Sequence, residues 1–139
     1  MDIFKQYATD PKLEQDGRWV RIGGTDEKPC KLLIARTGTK RYQRVMAQQY
    51  EANKTLMESK DTQAANAKVE EMIQHALASC VLLGWENVEY QGNSSYSYQN
   101  AHAMLALRDF RELVMKEADN FKAYKLDQEE DDAKNSKPA

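Results

Sequence analysis

Apolar side chains recur at spacings of three and four from Thr39 onward, where Tyr42, Val45, Met46, Gln49, Tyr50, Asn53 and Leu56 fall on one helical stripe with two polar interruptions. A cleaner stripe follows. Val69, Met72, Ile73, Ala76, Leu77, Cys80 and Val81 predict a helix from about Ala64 to Leu83 that forms the spine of the core. Burying each of its large side chains stabilises the fold by roughly 1.5–3 kcal/mol before chain entropy is subtracted. The stretch Glu58 to Asn66 is polar and carries no stripe, which predicts a bend there, with Asp61 or Thr62 placed to accept from the free N–H groups of the next helix. Gly84 follows the last apolar position and is expected to end the long helix in the left-handed conformation, ahead of a polar, tyrosine-bearing loop that runs to Tyr96.

The first third follows a different period. Asp16-Gly17 is a turn dipeptide, Arg18 to Ile22 alternates polar and apolar, and Gly23-Gly24 through Pro29 predicts a loop. Its expected strand partner is Cys30 to Arg36, where Leu32, Leu33 and Ile34 form a run consistent with burial on both faces, although so short an apolar run is also compatible with helix. Two more helices are predicted near the C-terminus. Ser97 caps the first, which carries Ala101, Met104 and Leu105 inward; Asp109 and Glu112 resemble a capping box opening the second, whose stripe is Phe110, Leu113, Val114, Glu117, Phe121 and Tyr124. The expected fold class is therefore α+β and mainly α-helical. A small N-terminal antiparallel sheet precedes about four helices in one domain, 1–126, and 127–139 form an acidic tail expected to be disordered.

Size and charge narrow the function. The chain has 139 residues, 41% of them hydrophobic, which suits one core and excludes a multidomain enzyme. Its 20 basic and 22 acidic residues give a net charge of −2, so nucleic-acid or membrane binding has to rest on local patches. The tail holds five acidic and two basic residues, leaving a body of net +1. Cys30 and Cys80 lie fifty residues apart and form neither a disulfide framework nor a CxxC motif, which fits a reducing cytosol. The apolar runs are too short to cross a membrane, and export is not expected, since Met-Asp-Ile-Phe-Lys is not a basic region followed by an apolar one.

Candidate chemistry is sparse. His75 and His102 have no second ligand at helical spacing, and both are expected to be solvent-facing or structural; Cys80 lies on an apolar stripe that raises its pKa. There is no G-x-S-x-G elbow, P-loop or dinucleotide fingerprint, and paired carboxylates such as Glu70-Glu71 fit a solvated face. The expectation is a noncatalytic protein with no cofactor and no metal. Two binding candidates remain. Arg36, Lys40, Arg41 and Arg44, interleaved with Tyr42, form a basic helix start suited to a phosphate backbone, although Tyr42 on the apolar stripe favours a core tyrosine between solvated cations. Trp85, Tyr90, Tyr96 and Tyr98 gather around a polar loop, as either a satellite core or a protein contact patch.

The order of these features resembles the tail assembly chaperones of long-tailed bacteriophages over about Gly17 to Phe121. The matching residues are Gly17, Trp19 and Ile22; then Arg36, Gly38 and Tyr42; then Leu82, Trp85, Val88, Gly92, Tyr96, Ser97, Asn100 and Ala101. Ser94, Ser95, Tyr98 and Gln99 stand where members usually carry prolines and a glutamate. The resemblance implies a small host-cytoplasmic protein, absent from the mature virion, that binds the tape measure protein and keeps it soluble until tail tube protein polymerises around it. The partners it implies are the tape measure and tail tube proteins; no membrane is expected, and nucleic acid is the less favoured partner. Adaptable methionines such as Met46, Met57, Met72, Met104 and Met115 suit that task, although core packing accounts for most of them. Members are often lengthened by ribosomal frameshifting near the C-terminus, and Ala133-Lys134-Asn135 is compatible with a slippery codon run. The alternative from a different class is a small nucleic-acid-binding module using Arg36, Lys40, Arg41 and Arg44.

Overall fold

The computed structural model describes residues 1–126. The acidic run and the Ala133-Lys134-Asn135 triplet lie outside the described residues. The architecture is mixed α+β and mainly helical, as expected.

Strands β1 (Arg18–Gly24) and β2 (Pro29–Ile34) pair antiparallel, with Trp19 opposite Leu33 and Val20 opposite Leu32. Thr25 and Lys28 close the turn between them. The expected boundary at Arg36 moves back to Ile34. Leu32 and Ile34 are fully buried whereas Leu33 is half-buried, so β2 is enclosed on one face rather than two.

The expected helix end is corrected. The long helix α5 (Thr62–Cys80) stops before Val81, and Leu82–Glu86 forms a third strand, β3, which pairs antiparallel with β2 in the order β1-β2-β3. Gly84 therefore sits in a strand opposite Leu33 rather than in a left-handed cap. The physical reason is the second edge of β2. Leu32 and Ile34 have no exposure to water, and their peptide groups need partners on that side. Strand pairing meets that need, whereas continuing the helical pattern would not.

Helix α5 packs Met72, Ala76, Leu77, Ala78 and Cys80 into the interior, and Asp61 Oδ1 accepts from Ala64 N at 3.0 Å as the expected N-cap. Before it, α3 (Lys40–Ala52) starts at Thr39, whose hydroxyl accepts from Tyr42 N at 3.2 Å, and a short α4 (Lys54–Met57) leads into the predicted bend. Tyr42 and Val45 lean on the core, yet no residue of α3 is fully buried.

After β3 come α6 (Tyr98–Met104) and α7 (Arg108–Ala118). Ser97 Oγ accepts from Asn100 N at 3.0 Å, the expected cap. Asp109 is not a cap. Leu107 occupies that position without a side-chain bond, Asp109 lies within the first turn, and Glu112 pairs with Arg108 at 3.2 Å. A carboxylate inside the first turn still meets the positive end of the helix dipole, so Asp109 favours the helix start from two residues past the cap. The stripe is also broken: α7 ends at Ala118, and Phe121–Tyr124 forms a 3-10 turn that buries Tyr124 completely, its hydroxyl donating to Ile34 O at 2.8 Å.

Two short N-terminal helices were not anticipated, α1 (Ile3–Tyr7) and α2 (Pro11–Asp16). Asp10 caps α2 by accepting from Lys12 N and Leu13 N, with Pro11 at the first helical position. The segment between the helices runs beside Tyr124–Leu126: Asp10 N donates to Tyr124 O at 2.8 Å and Leu126 N to Ala8 O at 3.0 Å. Two ion pairs hold outer helices in place, Glu14 of α2 with Arg36, two residues past the end of β2, and Glu117 of α7 with Arg18 of β1, both at 2.8 Å.

Candidate functional site

The four loop aromatics divide into two groups. Trp85 and Tyr96 pack edge to face with centroids 4.9 Å apart. Trp85 Nε1 donates to Ser94 O at 2.9 Å, and the Tyr96 hydroxyl donates to Leu82 O at 2.7 Å. Asn100 Nδ2 adds a bond to Ser95 O at 2.8 Å, and Val88 packs against the core. These residues tie the loop back to β3 and α6, so much of the quoted motif is there to hold the loop. Burial raises the Tyr96 pKa above its ordinary value, with Arg41 partly offsetting the shift. Tyr90 serves the same loop through reciprocal backbone bonds with Asn93.

Tyr98 belongs elsewhere. It lies between His75 of α5 and His102 of α6, with ring centroids 5.7 and 5.6 Å away, and its hydroxyl is 2.7 Å from His75 Nδ1. Ser79 Oγ stands 3.5 Å from the other nitrogen of His75, and Gln74 donates to the His102 carbonyl at 2.7 Å. Both histidines are therefore held in side-chain contacts. Tyr98 remains exposed at the surface.

Next to Gln74 an open groove of about 920 Å³ runs between α5 and α7. Ile73 and Met115 form its apolar floor; Glu70 and Glu71 stand on the α5 side, and Arg108 and Arg111 on the α7 side. No single segment signals it, because each wall looks like an ordinary solvated helix face and only packing brings them together. A second exposed apolar group was also missed: Ile3, Phe4 and Tyr7 project from α1, and Tyr7 stacks on Phe121 at 5.6 Å. The cap-like Asp2 with Ile3 and Tyr7 four apart was the signal available.

The basic quartet is split. Arg36 is bound to Glu14, while Lys40, Arg41 and Arg44 line a cleft of about 630 Å³ between α2 and the start of α3, together with Pro11 and Glu14. Tyr42 faces the core, and burial raises its pKa, as does the neighbouring Cys80. Burial raises the Cys80 thiol as expected, and it donates to Ala76 O at 3.3 Å. Among the described residues no three His, Cys, Asp or Glu side chains gather in a metal-holding group, and no helix is long and apolar enough to cross a membrane.

Gly17 has a structural role at the start of β1. Its φ is +88°, and a Cβ there would lie 3.1 Å from the Ile34 carbonyl carbon, so only glycine lets β1 start this close to the end of β2. Gly38, with φ +81°, makes the turn into α3.

A model of the family described as YdaY prophage protein matches residues 37–135. No curated protein and no solved structure matches the chain.

Proposed function

The chain belongs to the YdaY prophage protein family, and on that premise we propose that it is a noncatalytic tail assembly chaperone. In this reading it binds the tape measure protein in the host cytoplasm, keeps it soluble until tail tube protein polymerises around it, and does not enter the virion. The observation that carries the reading is the groove between α5 and α7, whose wall residue Gln74 is bonded to His102, the ring against which exposed Tyr98 packs. An amphipathic helix fits such a groove, laying its apolar stripe on Ile73 and Met115 while its polar edges meet the Glu70-Glu71 and Arg108-Arg111 walls. Tyr98 offers an aromatic contact at low entropic cost because its neighbours already hold it. Trp85, Tyr90 and Tyr96 support the site from behind by holding the loop that leads into α6.

The groove has charge on both walls and a narrow apolar floor, which suits reversible cover. A partner helix with exposed apolar stripes would otherwise aggregate, and the chaperone must let it go when tube protein competes. The test is co-expression with a helical fragment of the tape measure protein from the same prophage. Wild-type chain is expected to raise the soluble fraction of the fragment several-fold. Ala67→Arg, which places a long side chain from an exposed position into the groove, and Tyr98→Ala are each expected to return it to the pellet while the chaperone itself stays soluble. A fragment that is equally insoluble with and without the wild-type chain, or equally soluble with the two variants, contradicts the proposal.

A further inference from the structure

Lys40, Arg41 and Arg44 lack a counter-charge because of where the fold places its carboxylates. Helix α3 carries no acidic residue before Glu51, so none stands three or four positions from any of these cations. Across the cleft, Glu14 of α2 is the carboxylate on the wall, and it is already engaged: Arg36 pairs with it at 2.8 Å and Thr9 Oγ1 donates to it at 2.8 Å. The three cations are exposed and make no ion pair among the described residues. Arg41 donates to the Ser79 carbonyl at 3.3 Å, which sets its guanidinium beside the end of α5.

Residues one helical turn apart have Cβ atoms about 5–6 Å apart, so Lys40 and Arg44 stand side by side on α3 with Arg41 next to them. Three like charges around a cleft of about 630 Å³ repel one another, and an anion that enters relieves that repulsion. One carboxylate would pair with one cation and leave two repelling. Consecutive phosphates present a charge at every unit, the guanidinium forks of Arg41 and Arg44 each match two phosphate oxygens, and Lys40 adds a point charge. No aromatic ring lines this cleft, because Tyr42 faces the core, so a base has nothing to stack on. We infer that the cleft is a phosphate-binding site, which takes consecutive phosphate groups on Lys40, Arg41 and Arg44 and reads their charge rather than a base sequence. Two carriers share that chemistry, a single nucleic-acid strand and a free oligophosphate. The cleft and the α5–α7 groove have no lining residue in common, so this inference stands or falls separately from the chaperone reading.

The test titrates the full chain at low salt with tripolyphosphate, a short oligothymidylate and a short oligoglutamate, followed by amide NMR and calorimetry. The amides of Gln15 and of Gly38 to Arg44 are expected to shift with at least one of the two phosphate probes, and oligoglutamate is expected to bind at least about tenfold more weakly than that probe. Tighter binding of tripolyphosphate assigns the cleft to a free oligophosphate, and tighter binding of oligothymidylate assigns it to a nucleic-acid strand. With three cations on a single strand, oligothymidylate affinity should fall roughly twentyfold between about 50 and 200 mM salt. Lys40→Gln, Arg41→Gln and Arg44→Gln together are expected to weaken the bound phosphate probe at least about tenfold and to flatten its salt dependence, whereas Lys54→Gln with Lys60→Gln, which removes two exposed cations elsewhere, should change it less than about twofold. No shift over Gly38 to Arg44 with either phosphate probe, binding that survives the triple substitution, or oligoglutamate binding as tightly as the phosphate probes would each overturn the inference.

Discussion

Arg18 and Arg36 make a different use of positive charge from Lys40, Arg41 and Arg44. Arg18 lies 5.0 Å over the ring of buried Tyr124, donates to both the backbone and the carboxylate of Glu117, and is only 17% exposed. Arg36 is similarly enclosed with Glu14. These two cations fasten α7 to β1 and α2 to the segment that leaves β2. The other three sit on exposed turns of α3 and contribute charge to a cleft. The lesson is that an arginine's role follows from which acidic group the fold carries to it. Glu117 is ninety-nine residues from Arg18, and Glu14 is twenty-two from Arg36.

Removing the enclosed cations should therefore cost stability, and removing the exposed ones should not. The largest effect is expected from Arg18→Ala, which uncovers Tyr124 and leaves Glu117 without its partner. We expect a loss of about 2–3 kcal/mol in urea unfolding, held below the fully buried range by the residual exposure of the pair and by Arg18 Nε, which has no acceptor. A loss under about 0.5 kcal/mol would erase the distinction between the two sets. Arg36→Ala is expected to cost about 1–2 kcal/mol, less because Glu14 keeps its bond from Thr9.

Alkaline pH probes the enclosed side without mutation. Burial raises Tyr124, with the Arg18 charge and hydrogen bond pulling the other way, and burial also raises Tyr42, Tyr96 and Cys80. In each case the folded state holds its proton longer than the unfolded chain, so the native protein binds more protons above the ordinary thiol and tyrosine values. Stability is then complete below about pH 8.5 and falls as pH rises through about 10 and beyond. Urea midpoints measured across that range should decline, and Tyr124→Phe, though less stable at neutral pH for want of its bond to Ile34, should show a shallower decline. A flat profile would contradict the sign. The smallest effect belongs to Lys40→Gln, Arg41→Gln and Arg44→Gln together, expected to stay within about 0.5 kcal/mol of wild type in the same assay.

The local features were legible where a single segment carries its own reason. The α5 stripe, the Asp61 and Ser97 caps and the β1–β2 hairpin each follow from neighbouring residues. What escaped was decided at long range. Leu82 to Glu86 continues an apolar pattern that a helix would accept, and it becomes a strand because β2, some fifty residues earlier, needs a partner. The aromatic loop looked like one cluster because its four rings are close in sequence. Tyr96 turns back onto Trp85, whereas Ser97 starts α6 and carries Tyr98 away to His75. The α5–α7 groove had no signature of its own, since Ile73 and Met115 fit core stripes equally well. Asp10-Pro11 was a readable start signal for α2 that the polar surroundings obscured.

Amide hydrogen exchange of the full chain, with and without a saturating tape measure fragment, tests the chaperone reading most directly. Added protection is expected along the α5–α7 groove, around Ala67 to Gln74 and Arg108 to Met115, extending to Tyr98 and His102 and leaving Thr39 to Arg44 unchanged. Protection confined to Thr39 to Arg44, or none anywhere at saturation, would contradict it.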